Sequence, residues 1–243
     1  MMKPILLIVM LGYFASTVNA QIRDSLPSGL LLSAHYGWGT PGKDLANRFG
    51  THFMLGGSVA FLSKRDLYFS LDYSLVFGNK VKEDVLSNLR TVEGGIIGRD
   101  MQFASIFLRE RAHLWSANGG YFFRLAQRHS GFLLSGGLGY LQHKIRIVDD
   151  FDSVVQVSGP YRKGYDRLSG GLSLIQSLTY LYLSKDKLIN FYINLQLVEA
   201  FTKDLRGVNY NQSPLISDRT DLLASIKVGW VMPIYFEKEI RYY

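Results

Sequence analysis

Along most of the chain apolar residues occupy every second position, in segments of roughly ten residues joined by alternately short and long connections. The final segment shows the pattern plainly. Leu222, Ala224, Ile226, Val228, Trp230 and Met232 share one parity, and Asp221, Ser225, Lys227 and Gly229 share the other. Successive side chains of a strand point to opposite faces, so this segment has one oily and one polar face. The same division separates Leu67, Phe69, Leu71, Tyr73, Leu75 and Phe77 from Ser70, Asp72 and Ser74. A soluble β-sandwich also alternates, but its strands are usually shorter, and it has less reason to place aromatics at the ends of its apolar stripes. The pattern predicts an all-β fold, an eight-stranded antiparallel transmembrane outer-membrane β-barrel.

The first strand is predicted over about Leu30 to Trp38 and the second over His52 to Leu62, with Gly39 to Gly42 and Asn47 to Gly50 supplying turn residues between them. Ser63 to Asp66 form a tight charged turn before the third strand, which ends at Phe77. A long loop from Gly78 to about Asp100 precedes a fourth strand over Met101 to Phe123. That strand is ambiguous in phase at Arg109, Glu110 and Arg111, which implies a bulge or a rim standing outside the membrane. A short turn near Ala126 to His129 leads to a fifth strand carrying Phe132, Leu134, Gly136, Leu138 and Tyr140 and running on through Ile147. Another long loop spans about Val148 to Lys163. The sixth strand carries Leu168, Leu172, Leu174, Leu178, Tyr180 and Tyr182. Ser184 to Lys187 turn into the seventh, with Ile189, Phe191, Ile193, Leu195 and Leu197 outward, and a fourth long loop covers about Lys203 to Arg219. An even strand count puts both termini on one side. Because outer-membrane barrels keep short turns in the periplasm and long loops outside, that side is expected to be the periplasm. Eight strands enclose a space narrow enough for side chains to fill, which argues against an open pore.

Residues 1–20 read as a cleaved secretory signal: Lys3, the apolar run Ile5 to Leu11, and small residues closing on Val18, Asn19 and Ala20. The run is too short to cross a hydrocarbon core of about 30 Å as a helix. Residues 21–243 are then expected to form a single barrel domain. No later stretch approaches the length of a transmembrane helix. The chain has no cysteine, which removes disulfides, thiol catalysis, cysteine-bound zinc and an acylated amino terminus together. Its formal charge is +7, or +6 without Lys3, and the cations are scattered through turns and loops. That surplus suits outer-membrane lipid and lipopolysaccharide, or an acidic partner, and gives no footprint for nucleic acid.

The five histidines, His35, His52, His113, His129 and His143, show neither metal-ligand spacing nor a compact grouping with carboxylates. His129 with Ser130 reads as a turn, and His143 would reach Asp149 and Asp150 only if the strand folded back. No catalytic, cofactor-binding or metal-binding residue is assigned, and no cofactor is expected. Arg109, Glu110, Arg111, Asp166, Arg167 and Glu199 lie in or beside strands, where charge facing lipid is costly, and are expected to form an internal network or polar rim.

Several phrases carry a resemblance: Phe77 to Asp84, Tyr140 to Ile147, Lys163 to Leu168 and Asn190 to Tyr192. They resemble the PorG-like outer-membrane barrel subunit of the type IX secretion and gliding-motility apparatus, over about Leu30 to Met232. The resemblance implies a non-enzymatic part of a protein secretion machine, associated with a periplasmic ring of PorK-like and PorN-like proteins. It fixes no individual binding residue. Lys227 to Phe236 also resemble the terminal-strand signal of bacterial barrels, departing from it in the tail Glu237 to Tyr243. The alternatives are a lipid-modifying barrel enzyme and a free-standing adhesin or porin-like barrel.

Overall fold

The computed structural model describes residues 28–125, 130–184, 190–212, 214 and 218–236. The signal segment, the turns near His129 and Lys185, Ile189 and the tail after Phe236 lie outside the described residues. Eight strands pair in sequence order and close into a barrel: β1 (Gly29–Gly42), β2 (His52–Leu62), β3 (Leu67–Gly78), β4 (Ile106–Arg124), β5 (Gly131–Asp149), β6 (Ser169–Leu183), β7 (Asn190–Asp204) and β8 (Arg219–Tyr235). Every pairing is antiparallel, and β1 closes the ring against β8.

The register fixes the barrel's shape. Stepping across paired residues from Leu32 through Val59, Leu71, Ala117, Leu138, Leu174, Glu199 and Leu222 returns to β1 at Gly42, a stagger of ten residues. With strands about 4.8 Å apart and about 3.3 Å per residue, that stagger tilts them by roughly 40°. The bore that results is narrow, and some inward positions have no room for a side chain. A Cβ on Gly171 would stand 1.8 Å from the Phe201 carbonyl oxygen, and one on Gly56 would stand 2.1 Å from that of Tyr73.

The alternation seen in the sequence maps onto inside and outside without a slip. On β1, Leu32, Ala34, Tyr36 and Trp38 face out and His35 faces in, while on β8 Ala224, Ile226, Val228, Trp230 and Met232 face out and Asp221, Ser225 and Lys227 face in. Two aromatic belts bound the outer apolar surface. At the turn end Phe61 meets Phe236, Tyr121 meets Phe123, Phe132 meets Tyr180 and Tyr182 meets Phe191. Nearer the loop end Tyr36, Phe53 and Phe77 form one run of rings, and Tyr73, His113, Trp115 and Tyr140 form another. From His113 to Phe123 along a strand tilted by roughly 40° is about 25 Å of barrel height, the thickness of an outer-membrane apolar band.

Some boundaries differ from the sequence reading: Gly39 to Gly42, expected as turn, extend β1 because they stay paired with Ser225 to Leu222 of β8. Residues 43–48, expected as part of a medium loop, form a short helix α1 (Lys43–Arg48) whose Leu45 and Arg48 are buried in the barrel mouth. β4 begins at Ile106, not Met101, because the preceding residues pair within their own loop through an Ile97 to Phe103 bridge. The ambiguous stretch at Arg109 to Arg111 contains no bulge, since its registers with β3 and β5 run unbroken. Charges occur on both parities there because the strand has risen above the apolar band.

Candidate functional site: a barrel closed at both ends

At the turn end Leu31, Ala60, Leu62, Phe122, Leu133, Leu181, Leu183 and Val231 fill the bore with apolar side chains. The one fully described tight turn is anchored there by an ion pair between Asp66 and Arg124, and Phe122 N–H donates to the Asp66 carbonyl at 2.9 Å. At the loop end Met54, Val76, Leu114, Leu141, Ile145 and Val198 join the loop residues Leu45, Phe49, Val85, Leu86, Val154, Val157 and Tyr165 in a second core. Long loops are usually left to solvent. Here their apolar residues are drawn into the mouth, and burial of each large one is worth about 1.5–3 kcal/mol.

Polar contacts stitch the four loops into one lid. Arg48 Nε donates to Glu83 at 2.7 Å, and its Nη1 donates to the Arg167 carbonyl at 3.1 Å and the Ser169 hydroxyl at 3.0 Å. Glu83 also forms an ion pair with Arg167 at 3.0 Å, and Arg167 Nη2 donates to Asn211 Oδ1. Asn88 donates to the Tyr210 carbonyl, Tyr210 N–H donates to the Gly164 carbonyl, and Arg206 grips Asp166 with two nitrogens. Burial pushes the Arg48 guanidinium down from its ordinary value, and Glu83 beside it opposes the shift.

Below the lid lies a buried acid. Asp221 accepts from His143 Nε2 at 2.8 Å and from the Thr202 hydroxyl, with Arg219 Nη2 at 3.4 Å. Arg219 reaches on to the Asp44 carbonyl, and Thr220 N–H donates to the Asp44 carboxylate at 2.8 Å, so this cluster also holds α1 in place. Nearby, His52 Nδ1 stands 3.7 Å from Glu110, too far for a hydrogen bond.

Between the two apolar cores lies a polar cavity of about 60 Å³, lined by His35, Tyr68, Asp72, Asn118, Tyr192 and Lys227 among others. It has room for on the order of five water molecules. Ser74 Oγ is shared by His35 Nε2 at 3.0 Å and Lys227 Nζ at 3.3 Å. Asp72 accepts from Ser70 and from Asn118, each at 2.6 Å, and its field reaches Lys227.

Of the predicted charged set, the structure buries only part, each with partners outside the set. Glu110, Asp166 and Arg167 are buried. Arg109, Arg111 and Glu199 face outward, Glu199 being neutralised by Lys43. The interior network instead draws Arg48 from α1, Asp72 from β3 and His143 from β5 to Arg219, Asp221 and Lys227 of β8. Of the four histidines described, three point inward. His113 lies outside between Tyr73 and Trp115, donating to or accepting from the Tyr73 hydroxyl at 2.8 Å. His143 finds its acid in Asp221, not in Asp149 or Asp150, which sit beyond it on the same strand and loop.

The chemical reach of these groups is small. Ser74 with His35 is a hydroxyl–imidazole pair, but His35 Nδ1 has no partner to orient it. His143 has its acid, and its free Nδ1 likewise has no hydroxyl partner. Among the described residues no three His, Asp or Glu side chains are grouped as metal ligands, and no helix is long and apolar enough to cross a membrane.

No family model and no curated protein matches the chain. Solved structures do. It is similar to Neisserial surface protein A, with 12% identity and a TM-score of 0.44 over 83% of this chain and 96% of that one. It is similar to Ail, the attachment invasion locus protein of Yersinia pestis, with 10% identity and a TM-score of 0.43 over 85% and 99%. The N-terminal β-barrel domain of Pseudomonas aeruginosa OprF gives 14% identity and a TM-score of 0.39 over 86% and 99%. These likenesses are remote, and the assignment to eight-stranded barrels stands on the strand register itself.

Proposed function

We propose that this chain is a non-enzymatic barrel of the bacterial outer membrane that anchors or positions a protein secretion assembly. The observation that carries the anchoring role is the closed bore: apolar cores block both ends, and the space between them has room for only a few waters. A bore so filled offers neither a solute path nor an internal pocket for an acyl substrate. Its working surfaces are then its outer wall, its turns and its lid. The outer apolar band between two aromatic belts supports a bilayer location, with long loops outside and termini in the periplasm. The type IX assignment, with partners like the PorK and PorN ring proteins, rests on the sequence resemblance alone.

One observation favours a second reading, a free-standing adhesin. The lid exposes Ile97, Met101, Phe103, Phe151 and Tyr161, and Arg99 N–H donates to the Ser153 carbonyl, joining the two loops that carry them. Exposed apolar groups on an ordered surface mark contact sites. Recovery of the tagged protein from outer membranes in mild detergent, followed by mass spectrometry, separates the readings. Stoichiometric periplasmic ring proteins after stringent washing support the secretion anchor. A barrel recovered alone overturns it, and steady ionic conductance in a planar bilayer would overturn the closed bore.

A further inference from the structure

Above the loop-side aromatic belt, β4 and β5 rise past the ends of β3, at Glu110, and β6, at His143, and their outer face carries four cations there. Arg109 is paired directly with Arg146, and the next outward pair below is Arg111 with Lys144. Directly opposed side chains on antiparallel strands stand about 5 Å apart at Cβ, and like charges so placed are destabilising. Two such pairs in succession form a cationic square about 5 Å by 7 Å. Arg111 lies in the field of both Arg109 and Arg146. Among the described residues no carboxylate pairs with them on the outer face: Arg111 Nη1 donates to the Glu110 carbonyl, and the Glu110 carboxylate, whose charge Arg111 feels, points into the bore. Asp166, whose carbonyl accepts from Ile145 N–H on β5, has its carboxylate engaged by Arg206.

Depth supplies the rest of the argument. With the strands tilted by roughly 40°, Arg111 stands about 5 Å and Arg109 about 10 Å above His113, the uppermost ring of the belt on β4. That is headgroup height for a lipid whose chains lie along the apolar wall of Trp115, Ala117, Leu138 and Tyr140 below. A soluble anion would gain nothing from that wall.

We propose that Arg109, Arg111, Lys144 and Arg146 bind the phosphate groups of a phosphate-bearing lipid in the leaflet that meets the loop end, the lipid's chains resting on β4 and β5. This inference rests on the bilayer-spanning reading. The test uses the full chain, with Trp38→Phe and Trp230→Phe so that Trp115 alone reports, in phosphatidylcholine vesicles carrying a trace of dansyl-labelled diphosphoryl lipid A. Energy transfer from Trp115 should show enrichment of the labelled lipid over dansyl-labelled phosphatidylcholine. Arg109→Gln/Arg146→Gln and Arg111→Gln/Lys144→Gln should each weaken it by about tenfold or more, since charge-assisted bonds to phosphate are lost. Lys203→Gln, on the outer face of β7, should leave it unchanged. Equal transfer in the Gln variants overturns the proposal, as does displacement of the lipid by millimolar inorganic phosphate, which marks a general anion site. Vesicle flotation and the heat-dependent gel shift of folded barrels are read in parallel. Failure of the parent chain there would refute the bilayer reading, a result distinguishable from an inserted barrel without lipid preference.

Discussion

Replacing Asp221 by alanine removes the acceptor on which three parts of the barrel converge: His143 from β5, Thr202 from β7, and Arg219, which in turn reaches α1. Asp221 and His143 are fully buried, and Arg219 nearly so. Truncation leaves an imidazole with neither nitrogen bonded, because Nδ1 already lacks a partner. It also leaves a guanidinium without its nearest carboxylate. Orphaning one member of a buried charged pair costs about 3–5 kcal/mol. The chain folded in detergent micelles and titrated with urea, followed by fluorescence of Trp38, Trp115 and Trp230, should lose stability by that amount with little change in m-value. His143→Leu removes the imidazole that Asp221 serves, so in that background Asp221→Ala should cost less, with a coupling of about 1.5–3 kcal/mol. A loss below about 1 kcal/mol for Asp221→Ala, or additivity with His143→Leu, would show that the cluster does not hold the lid and would refute the reasoning.

Three further outcomes are expected. Leu138→Arg places a charge in the middle of the outer apolar wall and should destabilise the vesicle-inserted barrel by about 2–4 kcal/mol, against little effect for Leu205→Arg on the lid; equal small effects would mean that Leu138 does not meet lipid. Gly171→Val pushes a side chain into the Phe201 carbonyl and should abolish the heat-dependent gel shift, whereas Gly207→Ala, strained in φ but open in space, should retain it at a cost of about 1 kcal/mol. Because the chain has no cysteine, Glu93→Cys on the lid and Arg65→Cys on the tight turn can be labelled singly with an impermeant maleimide in whole cells. Label on residue 93 alone is expected, and label on residue 65 alone would invert the proposed orientation.

The amino-acid sequence determined which face the residues take wherever a strand crosses the apolar band. Period-two alternation is a local property, and the bilayer punishes any slip, so the parities of Leu67 to Phe77 and of Asp221 to Met232 read correctly without coordinates. At Arg109 to Arg111 that pressure lapses, since the strand carries charge on both faces, Glu110 buried inward and Arg109 and Arg111 outward above the apolar band, and the parity became legible only from the pairing with β3 and β5. The candidate site was scarcely legible at all. His143 and Asp221 are 78 residues apart, and Arg48 meets Arg167 across 119. Their meeting depends on the ten-residue stagger accumulated around the ring, which no single segment encodes. The helix α1 escaped for a related reason: six residues are too few to form a helix on propensity, and it exists because Leu45 and Arg48 are buried in the mouth and Asp44 binds Thr220. Alternation chose the wall, and closure of the ring, through its stagger, decided what fills it.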